Sequence, residues 1–409
     1  MWLEISQRLR ARWHYVSFFF LAEWPLAVAA FGVVLTFLTS GPTILSFALL
    51  LTVLSVTTTL ISFSREIHGA VIRRSRFEFV KMSLPVADLK ARYRNSMVRW
   101  VEVPHRGTFL VDDASSAILR ERPVTLRLGE RPYRLPRELK AFAPQAFRIS
   151  SKGSIVFNGE LMAMASDISL DGAAGGHPVA TVRVTRYFDS LCSNELCTYK
   201  IIHTDTGDET NLYEREVCDP RTRTLRGFSE SRLSNHIGVS TLAITTDECV
   251  VVCVQSRNNL PSKVLYAPSG SGTIPPSDCK SGDSLQDLLV RAMERELAEE
   301  TGISGPDIQR TRVLGCGRWI ERGAKPEYFG VTYLAISSRD IEDRRVKVSE
   351  RLYTGSIRAF PVNLKTLKRN LLAGASVVNP SCPADFRYSG SVPLLVGLRF
   401  AALDFDQDG

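Results

Sequence analysis

The densest concentration of reactive groups in this chain is three carboxylates and a guanidinium. Glu296, Glu299 and Glu300 stand at i, i+3 and i+4, and Arg295 directly precedes the first. On a helix, that spacing places all three carboxylates within one turn. Carboxylates so close repel one another, and a divalent cation relieves the repulsion. Mg²⁺ prefers oxygen ligands and readily shares them with phosphates. Arg295 is placed to hold Glu296 by a charge-assisted hydrogen bond. A helix is expected because Leu285, Leu288, Leu289, Ala292, Met293 and Leu297 recur at helical spacing and would face a core. Gly302 then suits the C-terminal stop. The blander reading of the same residues is a solvated acidic helix face.

The stretch Gly282 to Ile303, GDSLQDLLVRAMERELAEETGI, resembles the Nudix box, whose core is Arg-Glu-apolar-x-Glu-Glu-x-Gly-apolar. Arg295 through Ile303 fills every specified position. The resemblance implies an α/β/α sandwich with a mixed sheet, at about residues 236–400. It also implies that Glu296, Glu299 and Glu300 bind Mg²⁺ and, with Arg295, help activate water against a pyrophosphate linkage. Two departures lie upstream: Asp287 replaces the box's earlier Glu, and the leading Gly falls one position late, at Gly282. A shorter carboxylate and a shifted turn would weaken catalysis while preserving the fold, so whether the site cleaves or only binds is left open. Ser240 to Ser256 reads as a hairpin, Ala267 to Gly272 as a Gly/Ser loop, and Val313 to Arg318 and Tyr328 to Ile336 as strands. Ser391 to Leu403 reads as a final helix or strand pair.

The wider chain must position this segment. Its 409 residues suggest two or three domains. Eight cysteines show no disulfide-framework or zinc spacing, which fits buried free thiols. The formal charge of +8 arises mostly between Arg120 and Lys152, where nine Lys/Arg face three Glu. Such a stretch suits an anionic partner, or is a plain solvated face. Tyr133, Phe142 and Phe147, interleaved there, read as core more than as a stacking surface. Phe18 to Leu38 and Ile44 to Phe63 are apolar runs, the second of 20 residues without a charge, enough to cross a bilayer. Arginines flank both runs and none lies in the turn between them, so both termini are expected on the cytoplasmic side.

The expected fold class is therefore a two-helix transmembrane hairpin (residues 1–76, spans about 18–38 and 44–63), a β-rich middle region (77–235) and a Nudix-like domain (236–409). Met82 to Trp100 has helical character. VTLRLG, FRISSKGSIVFNG and PVATVRVTRYF, between Pro123 and Phe188, read as strands.

This combination resembles the membrane-anchored effectors of bacterial cyclic-oligonucleotide antiphage systems (CBASS), and Thr185 to Glu195, TRYFDSLCSNE, resembles a motif of that Nudix-like subfamily. That resemblance implies a multi-pass inner-membrane protein that senses a cyclic nucleotide second messenger, disrupts the bilayer and causes abortive infection. Its partners would be the messenger, the lipid bilayer and further copies of itself, with no nucleic acid. The alternative is a membrane-tethered Nudix hydrolase acting on a nucleoside diphosphate derivative.

Overall fold

The computed structural model describes residues 77–84, 86–93, 97–150, 157–170, 176–255, 265–341 and 354–405. The expected transmembrane hairpin lies outside them. Among the described residues no helix is long and apolar enough to cross a membrane. The most apolar, Val392–Asp404, has 13 residues and extends only about 20 Å. The fold class is accordingly corrected to the α/β arrangement described here. The multi-pass inner-membrane location, with both termini cytoplasmic, is corrected with it.

The described residues divide into two compact units. The smaller draws on residues 77–80, 136–159 and 200–210. Its three-stranded sheet runs Phe77–Lys81, Tyr199–His203, Glu209–Asn211. Phe142 packs edge-on against Phe77 and Phe79, with centroids 5.6 and 5.8 Å away. Phe142 is partly buried and Phe147 is buried, so they serve as packing residues here. Part of the FRISSKGSIVFNG stretch expected as strand is helical, Ala143–Ser150. Ala143, Ala146 and Phe147, at i, i+3 and i+4, are all buried, which is a helical period.

The larger unit is built on a mixed nine-stranded sheet. Its main path runs Tyr266–Ala267, Cys249–Gln255, Gly238–Ile244, Lys325–Leu334, Ile308–Trp319, Gly107–Asp112, Val98–Val103. Gly270–Thr273 pairs with Gly238–Ile244, and Thr354–Pro361 with Cys249–Gln255. Gly238–Ile244 and Lys325–Leu334 run parallel, with Gly238 opposite Glu327 and Leu242 opposite Val331. Two strands of the sequence's middle region, Val98–Val103 and Gly107–Asp112, thus extend the same sheet. Among the described residues of the Met82 to Trp100 stretch, Val86–Arg92 is the helical part.

Each face of this sheet carries a helix. Leu288, Leu289, Ala292 and Met293 of helix Leu285–Thr301 cluster with Val239, Val313 and Tyr328. Leu394, Leu395, Leu398 and Phe400 of helix Val392–Asp404 cluster with Leu242, Phe329 and Val331. Successive strand residues point to opposite faces, so Val239 and Leu242 meet different helices. Burying each such leucine contributes roughly 1.5–3 kcal/mol. A second, four-stranded sheet in this unit joins Thr125–Leu128, Pro178–Arg186, Glu160–Met164 and Ser169–Leu170.

Candidate functional site

Helix Leu285–Thr301 is fixed at both ends. At the start, the Ser284 hydroxyl accepts from the Asp287 amide at 3.1 Å, and the Asp287 carboxylate accepts from the Ser284 amide at 2.9 Å and from its hydroxyl at 2.6 Å. This reciprocal pair is a capping box. At the end, Gly302 adopts φ +72° and its amide donates to Ala298 O at 3.0 Å, a left-handed stop that suits glycine. The apolar stripe read from the sequence is fully buried. The opposite side of the helix must therefore present Arg295, Glu296, Glu299 and Glu300.

Arg295 is the hub. Its Nε donates to Asp278 at 2.8 Å, one terminal nitrogen lies 3.0 Å from Glu296 and 3.1 Å from Glu299, and the other donates to Thr273 O at 2.8 Å. Burial alone would lower the Arg295 pKa. The Glu296 and Asp278 carboxylates more than offset that and raise it, so the guanidinium stays charged. One side chain thus ties the helix to the Gly270–Thr273 strand and the Pro276–Asp278 turn.

Two glycines let strand and helix meet. A Cβ at Gly272 would fall under 3.0 Å from the Glu296 carboxylate, and a Cβ at Gly270 would fall 2.5 Å from the Leu297 backbone nitrogen. The segment expected as a Gly/Ser loop is thus partly a strand, paired Val239 to Gly272. Small residues are required because the helix backbone and a carboxylate occupy the space a side chain would need.

The structure brings Arg295, Glu296 and Glu299 together. Glu300 instead meets the buried Cys253 thiol, whose pKa is pushed well up by burial and then by the Glu300 charge. Among the described residues, no group of three or more His, Cys, Asp or Glu is gathered as a metal site. The carboxylate oxygens are the donor type Mg²⁺ takes, and the room left at Gly272 accommodates one of them. As arranged, the single Arg295 charge offsets only part of the charge of Asp278, Glu296 and Glu299. Asp287, read as a stand-in for a catalytic Glu, is engaged at the cap, about 13 Å along the helix axis from Glu296. Asp278 and Gly272 escaped the sequence reading. Asp278 is an isolated acid outside the motif, and Gly272 carries no chemistry of its own.

No family model matches the chain, and no curated protein matches it. Solved structures similar to part of it are Nudix hydrolases. A Nudix hydrolase from Nitrosomonas europaea shares 16% identity, covering 31% of this chain and 71% of that one, at a TM-score of 0.21. A MutT protein from Methanosarcina mazei Go1 shares 18% identity, covering 42% of this chain and 96% of that one, at 0.22. At scores this low neither likeness bears on activity.

Proposed function

We propose that the acidic face of helix Leu285–Thr301 is a divalent-cation-dependent site for the phosphates of a nucleoside diphosphate derivative, which the protein hydrolyses. The observation that carries this reading is the anchoring of Arg295 by four groups from three elements, with Glu296 seated over a glycine made to receive it. A solvated acidic face would need neither. Glu296, Glu299 and Glu300 would hold Mg²⁺, which supplies charge neutralisation and polarisation of a phosphate when bound. Arg295 holds Glu296 and Glu299 toward the same point through contacts of 3.0 and 3.1 Å from one guanidinium nitrogen. The Asp278 and Thr273 contacts fix that guanidinium in turn, which limits the reorganisation needed during reaction.

A second reading, binding of a cyclic nucleotide without turnover, is favoured by one observation: Asp287 is committed to the helix cap, away from Glu296 and Glu299. One experiment separates the two. The full-length protein is incubated with Mg²⁺ and a panel of dinucleotides, sugar nucleotides and cyclic nucleotides, and products are followed chromatographically with binding measured in parallel. Repeated turnover of a linear pyrophosphate supports hydrolysis. Cyclic-nucleotide binding without products supports the second reading, and neither outcome would leave an acidic face with no such role.

A further inference from the structure

The glycine that falls one position late in the motif, Gly282, has a structural consequence just before the acidic helix. It takes φ +85°, a left-handed turn directly ahead of Asp283. A Cβ there would meet nothing within 4 Å, so the backbone angle rather than the space favours glycine. The Asp283 carboxylate accepts from the Lys280 amide at 2.8 Å and faces the helix. Arg291 binds it at two points, with its terminal nitrogens 2.7 and 3.1 Å from the two carboxylate oxygens. A two-point guanidinium–carboxylate pair fixes angle as well as distance.

Arg291 also donates to the Asp278 carbonyl oxygen. Arg295, one turn further along, donates to the carboxylate of that same residue at 2.8 Å. Positions i and i+4 share a helix face, so the two arginines grip Asp278 at its backbone and at its side chain. Asp278 is 6% exposed. The ends of this loop are tied elsewhere: the Met162 amide donates to Ile274 O at 2.7 Å, and the Leu285 amide to Val124 O at 2.8 Å. Neither bond sets the place of the Pro276–Asp278 turn between them. A continuous series of contacts therefore runs from Asp283 through Arg291, Asp278 and Arg295 to Glu296 and Glu299.

We propose that Arg291 is a positioning residue of the acidic face, which sets through Asp278 where Arg295 holds Glu296 and Glu299. The Arg291 side chain is 30% exposed, and an ion pair so placed adds little stability by itself. What Arg291 adds is the place of Asp278. Without it the Pro276–Asp278 turn is free to shift. Arg295 then either follows the Asp278 carboxylate or loses it, and both displace the guanidinium nitrogen that lies 3.0 Å from Glu296 and 3.1 Å from Glu299. Ligand carboxylates must be held within about 0.5 Å of productive geometry, so a displacement of that kind weakens cation binding. The inference rests on the reading of this face as a divalent-cation site.

The test compares the full-length wild-type protein with Arg291→Gln, Asp283→Asn and Asp287→Ala. Three quantities are read: Mn²⁺ affinity by electron paramagnetic resonance, Tm, and the Arg295 Nε–H signal by NMR of arginine-labelled protein, assigned by its loss in Arg295→Lys. Arg291→Gln should weaken Mn²⁺ roughly 3–10-fold and shift or broaden the Arg295 signal. Asp283→Asn leaves Arg291 in place but breaks its two-point pair. It should move both readouts the same way by a smaller factor, and it decides the matter if Arg291→Gln does not fold. Asp287→Ala lowers stability at the same helix and should move neither. Wild-type Mn²⁺ affinity with an unmoved Arg295 signal in the two loop variants, or a lower Tm alone as in Asp287→Ala, would overturn the proposal. If the wild-type protein binds no Mn²⁺ saturably, the cation reading fails instead, and the Arg295 signal still decides whether Arg291 positions that guanidinium.

Discussion

Replacing Gly272 by Ala should separate the chemistry of the acidic face from the stability of the fold. The added methyl would fall under 3.0 Å from the Glu296 carboxylate, but that group is the far end of a flexible side chain and can swing away. The backbone at Gly272 is not left-handed, so alanine is conformationally acceptable there. The cost is the displaced Glu296–Arg295 contact at 3.0 Å. A charge-assisted hydrogen bond is worth about 1.5–3 kcal/mol, and partial exposure of the pair, 12% and 25%, places it toward the lower end. Gly270→Ala is the contrast. Its methyl would fall 2.5 Å from the Leu297 nitrogen and 2.7 Å from its Cα, and a helix backbone cannot step aside cheaply. Overpacking of that kind costs about 1–3 kcal/mol or more. At roughly 2–4 °C per kcal/mol for a unit of this size, Gly270→Ala should melt several degrees lower. Gly272→Ala should lose at least tenfold in Mg²⁺-dependent turnover, with a smaller change in Tm. The paired assay is calorimetry plus a Mg²⁺-dependent phosphate-release rate. Full activity in Gly272→Ala would refute the claim that this glycine exists to seat Glu296.

Further outcomes follow from other contacts. Asp287→Ala should cost about 1 kcal/mol through the lost cap while leaving divalent-cation affinity unchanged, as urea melts and metal titrations would show. Glu327→Gln should destabilise by about 3–5 kcal/mol because it strands the buried Lys325, and adding Lys325→Met should recover much of that in chemical denaturation. Burial raises the Asp189 pKa from 3.8 to about 6. Folding therefore favours its protonated form, and this stability is complete below about pH 4 and lost as pH rises through about 6. The loss is at most about 3 kcal/mol, and Asp189→Asn should flatten that part of the stability–pH curve.

The helix that carries the carboxylates was legible because its signals are local. The stripe from Leu285 to Leu297 and the stop at Gly302 each follow from spacing along the chain. What surrounds it was not legible. Gly270–Thr273 offers no alternation to mark a strand, and its pairing with Gly238–Ile244 is a long-range fact. Asp278 joins Arg295 across 17 positions, a distance no motif encodes. Asp287 resembled a weakened catalytic acid because only tertiary geometry distinguishes a cap from a ligand. The hairpin reading rested on hydropathy and flanking arginines, over residues outside the described ones. The apolar helix that is described, Val392–Asp404, spends its hydrophobicity against Leu242, Phe329 and Val331.

The most direct test of the central claim is divalent-cation binding at the acidic face, using Mn²⁺ as a paramagnetic stand-in for Mg²⁺ and electron paramagnetic resonance to count free ion. The wild-type protein should show a saturable site that tightens when a nucleoside diphosphate analogue is added. The Glu299→Gln/Glu300→Gln double variant, still folded, should bind at least tenfold more weakly. Equal Mn²⁺ affinity in the two proteins would contradict the assignment of this face as a metal-assisted phosphate site.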